Sequence, residues 1–496
     1  MTAPAPESRM QDLHERARRG IRLLLVRQVA LHLLNLVGGI VVARYLGPEG
    51  FGVFGIVAFV VAVAGMIAEL GLKTALIRRA EAVTDRELVT SFTLRQIVVT
   101  LLVAGIFTSA PTIAALYPRV PPEFVWLLRL LALDLYLRSW RATSEVRLER
   151  ALRFGPLALS DVVGTVGYQV VSIGLILAGW GITGLVWAVL VGNVLRVLLL
   201  YRASRWPIRL ALDAAATREL LRVGGAVQVS QIVSQMPAWV TPTLVAGLIG
   251  PAAVGFLNWG SWNGRKPLEV LENVVRVSIP HFSRLQDDPD EVERILTRYV
   301  IASLLVCGLW FAVLCVAGRD LVTLVYTERW LPAVPALLLY AAATLLAAIR
   351  WISTSALVGL GRMRFTARVT SVTSVIAVVA SVLLVLRLGA LGVPLGQMVG
   401  LAVAAPWLLA GLRPSAPARV LGQAPWVLAP IAAGLAFGAL VARAPLASAP
   451  RGLLTAGAVT LVYGAVAWWS GPAWLRAGVR EELALASRPP GPTRGS

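Results

Sequence analysis

Six residues between positions 258 and 276 could together form a charged face of one helix. They are separated alternately by four and three positions and are Asn258, Trp262, Arg265, Glu269, Glu272 and Arg276, with Lys266 beside them. Guanidinium and ammonium groups bind phosphate-type oxygens, and Arg does so with two parallel hydrogen bonds. We therefore expect an anion-binding site formed by Arg265, Lys266 and Arg276. The alternative is mutual neutralisation, in which Arg265 pairs with Glu269 and Glu272 pairs with Arg276.

The elements that hold these residues are too apolar for a water-soluble protein. Hydrophobic residues make up 57% of the 496 residues and charged residues only 15%, and the mean hydropathy is +0.75. Soluble domains are about 45–50% apolar and about 25% charged. The composition predicts an all-α protein that crosses a membrane many times. Because a charge inside such a helix costs about 2.5–3.5 kcal/mol, the charged face must border a water-filled cavity or partner groups.

Charged residues in other apolar runs provide further candidates. Lys73 and Arg27 are candidate anion-binding residues, although each lies near a helix end, where its long side chain could extend to the membrane surface. Binding of H⁺ or Na⁺ within the membrane would require a buried carboxylate. The candidates for such ion coupling are Glu69, Glu269, Glu272 and Asp134, the last of which can pair with Arg138.

Fourteen apolar runs are long enough to form membrane-spanning helices. Their approximate limits are 21–43, 51–76, 88–110, 124–142, 156–179, 182–201, 222–248, 252–279, 294–316, 332–356, 366–388, 391–412, 425–442 and 451–470. The number could fall to twelve or thirteen, because prolines interrupt the runs at 391–412 and 425–442. We predict a tail at 1–20, a six-helix half at 21–210, a second six-helix half at 222–412, two additional helices within 425–470, and a tail at 471–496.

Two prolines interrupt the run at 222–248. Pro237 and Pro242 each lack the N–H that a helix interior requires, so the helix should bend there. We predict a hinge at these two positions, although proline is also frequent in membrane helices that do not move.

Basic residues between the runs predict the orientation of the chain. The formal net charge is +20, and arginines cluster in alternate loops, as at Arg202, Arg205 and Arg209. Because Lys and Arg are retained on the cytoplasmic side, both termini are predicted to be cytoplasmic. No segment between the runs is long enough to form a soluble basic domain, so no nucleic-acid partner is expected.

A repeated pattern relates the two predicted halves. At one constant offset, Gly47-Pro48 aligns with Gly250-Pro251, Gly52 with Gly255, Glu69 with Glu272, Lys73 with Arg276, and Gln28 with Gln231. Charged residues are rare in membrane helices, so their agreement at one offset supports a true repeat. The pair of predicted helices at 21–43 and 51–76 and the pair at 222–248 and 252–279 both turn outside the membrane, in the same direction. The repeat is therefore parallel, a plan that suits alternating access around a central cavity.

Three segments resemble polysaccharide-unit flippases of the Wzx type, within the multidrug/oligosaccharidyl-lipid/polysaccharide exporter superfamily. They are ARYLGPEGFG at 43–52, PHFSRLQDD at 280–288 and YTERWLP at 326–332. The resemblance covers predicted helices 1–12, whereas helices 13 and 14 and both tails match only in hydropathy.

The resemblance implies a function and a set of partners. The protein would move undecaprenyl-pyrophosphate-linked oligosaccharide units across the bacterial cytoplasmic membrane for lipopolysaccharide or exopolysaccharide synthesis. A cationic cavity would hold the pyrophosphate, with Arg265, Lys266, Arg276, Lys73 and Arg27 as the candidate contacts. The lipid bilayer, a polysaccharide polymerase and export machinery would be its partners. No catalytic residues, metal or cofactor are expected, apart from coupling to H⁺ or Na⁺.

Two other functions remain open. An ion-coupled exporter of small cationic compounds would favour an acidic cavity, whereas the predicted cavity is rich in basic residues. A membrane-embedded glycosyltransferase or ligase would need acidic or histidine residues in a large outer loop, and no loop of that length is predicted. A Walker A loop for ATP hydrolysis contains a Gly-Lys pair. The chain has two lysines, Lys73 and Lys266, and neither follows a glycine, so it has no such loop.

Overall fold

The computed structural model describes residues 6–78, 83–117, 119–472, 474 and 476. Within these ranges every regular element is a helix, and nine stretches are long and apolar enough to cross a membrane. Two of the nine, Met363–Leu412 and Ala416–Val441, each contain two helices joined by a short turn. The predicted all-α membrane fold is confirmed, whereas the number of fourteen spans stays a prediction.

The helices are numbered here in chain order. They are α1 (Pro6–Glu69), α2 (Leu72–Arg78), α3 (Asp85–Ala115), α4 (Phe124–Ala132), α5 (Asp134–Arg150), α6 (Phe154–Leu177), α7 (Gly181–Ser204), α8 (Ala214–Val240), α9 (Ala246–Leu248), α10 (Pro251–Gly264), α11 (Lys266–Arg284), α12 (Pro289–Val325), α13 (Val334–Gly359), α14 (Met363–Leu388), α15 (Gly392–Leu412), α16 (Ala416–Gly422), α17 (Ala424–Val441) and α18 (Ser448–Ser470). Short 3₁₀ turns lie at Glu328–Ala333 and Gly389–Leu391.

The chain forms two compact units. Unit 1 comprises Met1–Ile232 and Ala246–Gly255, and unit 2 comprises Val233–Val245 and Phe256–Ser496. The chain passes from one unit to the other within α8, between Val245 and Ala246, and within α10.

In unit 1 the two copies of the Gly-Pro-x-x-x-Gly pattern contact each other. Gly47 kinks α1 with φ 66° and ψ −178°, a conformation that glycine adopts without strain. Beyond the kink, Gly52 lies against the carbonyl oxygen of Pro251, and Gly255 lies against that of Pro48. A Cβ atom at either glycine would overlap the opposing carbonyl group. The contact is therefore reciprocal and requires glycine on both sides.

Helices α5, α6 and α7 pack together in unit 1. The run predicted at 124–142 is divided into α4 and α5 and continues as far as Arg150. Gly192 of α7 lies close to the backbone of Gly164 in α6, where a larger residue would collide. Asn193 of α7 donates a hydrogen bond to Asp134 of α5 at 2.6 Å. This packing brings polar residues of three helices together inside unit 1.

In unit 2 the long helix α12 is the centre of the packing. Its apolar residues contact α17 and α18 through a cluster that includes Leu305, Ile431 and Tyr463. The Tyr463 hydroxyl donates to the Leu305 carbonyl oxygen at 2.8 Å, and Arg451 binds both carboxylate oxygens of Asp320 at 2.7 Å. The last two helices are thus fixed to the side of α12.

The helix predicted over 252–279 is interrupted at Arg265. Helix α10 ends just before this residue and α11 begins just after it. Pro267 explains the break, because it has no N–H to donate to the carbonyl oxygen of Asn263 four residues earlier. That oxygen instead accepts a hydrogen bond from Nε1 of Trp310 at 3.2 Å. The predicted charged face is therefore divided at Arg265.

The run at 222–248 is irregular where the prolines lie. Helix α8 contains Pro237 and is followed by a π-helical turn, Thr241–Val245, that contains Pro242. The helix is interrupted as expected, and the role of this segment as a hinge stays a prediction.

Candidate functional site

Unit 2 contains a cavity of about 310 Å³ bordered by α8, α11, α13, α14 and α15. Two arginines, Arg265 and Arg350, contribute to its wall. Polar side chains of the wall include Ser234, Thr344, Thr370, Thr373, Ser374 and Gln397. The described wall contains no carboxylate. Its chemistry is therefore cationic, with hydroxyl and amide groups around the two charges.

The helix break positions Arg265 at this cavity. Its guanidinium group donates to Oε1 of Gln397, and its Cζ atom lies 4.8 Å from the centre of the Tyr340 ring. The Gln397 amide in turn donates to the carbonyl oxygen of Pro237 at 3.4 Å. Arg265 is thus oriented by a neutral amide and an aromatic face, and no ion pair compensates its positive charge within the described part of the chain.

Arg350 is the residue that the sequence analysis missed. Its Nε atom is buried and has no hydrogen-bond partner within the described part of the chain. It also lies within electrostatic range of Arg265. Two like charges in a cavity without acids repel each other, so a bound anion would stabilise both. A signal was present, because Arg350 is a single charge within the apolar run at 332–356.

The other basic residues predicted on α11 do not border this cavity. Lys266 forms an ion pair with Glu269 at 2.7 Å, and its Nζ atom lies 4.6 Å from the centre of the Trp262 ring. Glu272 and Arg276 are exposed on the surface of α11. Of the three cations predicted on this segment, the structure brings only Arg265 to the cavity.

The basic residues predicted near the start of the chain belong to unit 1. Lys73 forms ion pairs with Glu145 at 2.6 Å and with Glu149 at 3.1 Å. Its charge is thereby compensated by two acids from α5. Position 27 lies in α1, but the side chain of Arg27 lies outside the described residues.

Two of the predicted carboxylates are also in unit 1. Glu69 is partly buried and lies within electrostatic range of Arg95, a fully buried arginine that donates to Oγ1 of Thr143 at 2.8 Å. Asp134 is completely buried and accepts a hydrogen bond from Nε of Arg138 at 2.6 Å, in addition to that from Asn193. The predicted pair of Asp134 and Arg138 is therefore present.

Sequence comparison identifies relatives in polysaccharide synthesis. The chain is 26% identical over 310 residues to the teichuronic acid biosynthesis protein TuaB of Bacillus subtilis (strain 168), which covers 60% of this chain and 62% of TuaB. It is 24% identical over 300 residues to the succinoglycan biosynthesis transport protein ExoT of Rhizobium meliloti (strain 1021), covering 60% of each protein. The lipopolysaccharide biosynthesis protein WzxC of Escherichia coli (strain K12) is 22% identical over 395 residues, 78% of this chain and 79% of WzxC. The chain thus spans less than two thirds of TuaB and ExoT.

Solved structures show the same fold. The lipid II flippase MurJ in an inward closed conformation matches with a TM-score of 0.75 at 15% identity, over 93% of this chain and 99% of MurJ. An inward-facing multidrug resistance MATE family transporter of the MOP superfamily matches with a TM-score of 0.60 at 19% identity, over 79% of this chain and 95% of that protein.

Residues 41–335 match the family described as "Polysaccharide biosynthesis protein", which is more than half of the chain. The resemblance found in the three short segments is therefore confirmed, and the chain belongs to this family of polysaccharide biosynthesis proteins.

Proposed function

We propose that this protein moves oligosaccharide units linked to undecaprenyl pyrophosphate across the bacterial cytoplasmic membrane. The units would be used to build a cell-surface polysaccharide. The relatives support this proposal, because their names refer to the synthesis of teichuronic acid, succinoglycan and lipopolysaccharide, and one is called a transport protein. On this proposal the protein is a transporter and not an enzyme, its termini are cytoplasmic, and a polymerase and export machinery use its product.

The observation that carries the proposal is the cavity of Arg265 and Arg350. A pyrophosphate group carries several negative charges, and moving it into a membrane without compensation would be very costly. Two arginines whose charges are not already neutralised offset that cost, and each can bind two phosphate oxygens at once. The hydroxyl and amide groups of the same wall are suited to further phosphate oxygens or to sugar hydroxyls.

The same observation disfavours an exporter of cationic compounds. Such a substrate would be repelled by two arginines, and the described wall offers no carboxylate to attract it. We therefore propose the anionic substrate alone.

Transport requires that the cavity release its substrate after it has opened to the other side. We propose alternating access, in which the lipid tail stays in the bilayer while the head group passes through the protein. Coupling to H⁺ or Na⁺ is part of this proposal, with Glu69 as the first candidate. Asp134 and Glu269 are less suited, because they are already ion-paired with Arg138 and Lys266.

Deletion of the gene in the native cell tests the proposal, followed by extraction of prenyl-linked sugars. Completed repeat units should accumulate on the cytoplasmic side of the membrane. The Arg350→Gln variant should reproduce the accumulation, whereas Arg364→Gln, which removes an exposed charge at the start of α14, should not. Unchanged pools after deletion, or transfer of sugars by the purified chain alone, would contradict the proposal.

A further inference from the structure

Unit 1 contains a second cationic cavity, which the proposed function does not use. Its volume is about 330 Å³, and it lies between α5, α6 and α7. The lining residues are Arg138, Arg141, Tyr168, Val189, Asn193 and Arg196. Three of the six are arginines, and none is a carboxylate.

The arginines are held in place by a continuous polar network. Asn193, a buried residue, accepts a hydrogen bond from Arg196 at 2.9 Å and one from Arg141 at 3.5 Å. Its amide donates to Asp134, which also binds Arg138, and Arg141 forms an ion pair with Glu145 at 2.9 Å. These carboxylates do not line the cavity, so they fix two of the arginines without occupying it.

The network leaves hydrogen-bond donors unused. Each arginine has five N–H donors. Arg196 also donates to Oγ1 of Thr165 at 3.1 Å, but its Nε atom is buried and has no partner within the described residues. Arg141 repels Arg196, whereas the carboxylates of Asp161, Asp134 and Glu145, none of which is among the six lining residues, attract it. An oxyanion between Arg141 and Arg196 would accept hydrogen bonds from both and offset their repulsion.

The position of the cavity along the helices restricts the ligand. Asn193 lies 12 residues after the first residue of α7, which has 24 residues, and Tyr168 lies 14 residues after the first residue of α6, which also has 24. At about 1.5 Å per residue, both lie near the middle of a membrane-spanning helix. Phosphate groups of ordinary lipids lie at the membrane surface, roughly 15 Å away. The ligand must therefore enter the interior of the membrane.

We propose that Arg138, Arg141 and Arg196 form a second oxyanion site, which binds a phosphate or carboxylate group of the transported molecule. The assignment to the transported molecule rests on the proposed function. A carboxylate would come from an acidic sugar, whereas a phosphate would come from the lipid carrier. Both are planar or tetrahedral oxyanions that guanidinium groups bind in the same way.

Titration calorimetry on the full-length protein, purified in a neutral detergent, tests this site. The probes are inorganic pyrophosphate and glucuronate, with glucose as the uncharged control. Arg196→Gln should weaken the binding of one probe by about tenfold or more, because a charge-assisted hydrogen bond is lost. Arg202→Gln, which removes an exposed charge near the end of the same helix, should bind as the wild type does. The probe that Arg196→Gln affects identifies the ligand as phosphate or carboxylate.

A second pair of variants separates loss of binding from loss of structure. Arg196→Lys keeps the charge, so it should bind more tightly than Arg196→Gln, and a Tm of Arg196→Gln close to that of the wild type would show that the fold is kept. If Arg196→Gln and Arg141→Gln both bind each probe as the wild type does, the second site is overturned. The proposed function would survive that result, because it rests on the cavity of Arg350, and Arg350→Gln should still lose pyrophosphate binding in unit 2.

Discussion

Arg265, at the break between α10 and α11, and Arg350, in α13, reach one cavity, and they lie within electrostatic range of each other with no carboxylate in the described wall. The sequence separates them by 85 positions, and the fold of unit 2 brings them together. Such an arrangement destabilises the protein when no anion is bound. We interpret it as the signature of a site selected for binding and not for stability.

Removal of one of these two charges should therefore stabilise the protein. Arg350→Gln is expected to raise the free energy of unfolding by about 0.5–2 kcal/mol, because a partly buried charge, whose Nε atom has no hydrogen-bond partner among the described residues, is replaced by a neutral amide. Thermal unfolding in detergent without phosphate measures this as a higher Tm. Arg364→Gln should leave Tm unchanged, and a lower Tm for Arg350→Gln would contradict our interpretation.

The glycine contact in unit 1 gives a second prediction. Gly52→Ala and Gly255→Ala should each lower the free energy of unfolding by about 1–3 kcal/mol, since the added methyl group would overlap an opposing carbonyl group. Gly105→Ala is the matched control, because nothing lies within 4 Å of a Cβ atom at that position of α3. Equal Tm values for Gly52→Ala and Gly105→Ala would show that the close contact is absent.

Asp134 is predicted to have a structural role in unit 1. Asp134→Asn should lower the free energy of unfolding by about 1–3 kcal/mol. Arg138 loses its ion pair, and the single side-chain oxygen of asparagine replaces the two carboxylate oxygens that accept from Arg138 and Asn193. The double variant Asp134→Asn with Arg138→Gln should recover part of the loss. Purely additive effects in this double-mutant cycle would show that the two side chains do not interact.

The start of α8 should respond to pH. The backbone N–H of Ala216 donates to Oδ1 of Asp213 at 2.8 Å, and this hydrogen bond lowers the pKa of Asp213, with a further lowering by Arg86. A carboxyl group whose pKa falls on folding stabilises the folded state fully above its unfolded pKa of about 3.9. That contribution is lost as the pH falls through the lower folded pKa.

Hydrogen exchange at the amide of Ala216 measures this effect. After correction for the intrinsic exchange rate, protection in the wild type should fall below about pH 4. In Asp213→Asn the side chain at position 213 has no carboxyl group to titrate, so the protection of the Ala216 amide should be constant over the same pH range. Identical pH profiles for the two proteins would exclude the carboxylate as the cause.

The sequence was sufficient for the membrane fold and the family, because hydropathy and the three short segments are local signals. It also identified Arg265, a charge within an apolar run. It could not show that Lys73 is paired with Glu145, which lies 72 positions later, since that pairing depends on the packing of α2 on α5. The predicted charged face is not continuous, because Pro267 lacks a backbone N–H and the helix is interrupted at Arg265. Arg350 was missed because it has no charged neighbour at helical spacing, although its isolation in an apolar run was itself informative.

The most direct test of the central claim is a flipping assay in proteoliposomes. A fluorescent oligosaccharide linked to polyprenyl pyrophosphate is placed in both leaflets, and its exposure to an external quencher is followed over time. We expect the wild-type protein and Arg364→Gln to move the lipid between leaflets, and the double variant Arg265→Gln with Arg350→Gln to lose at least about 90% of the rate, which corresponds to about 1.4 kcal/mol or more. Transport by the double variant at the wild-type rate would contradict the claim that these two arginines hold the pyrophosphate.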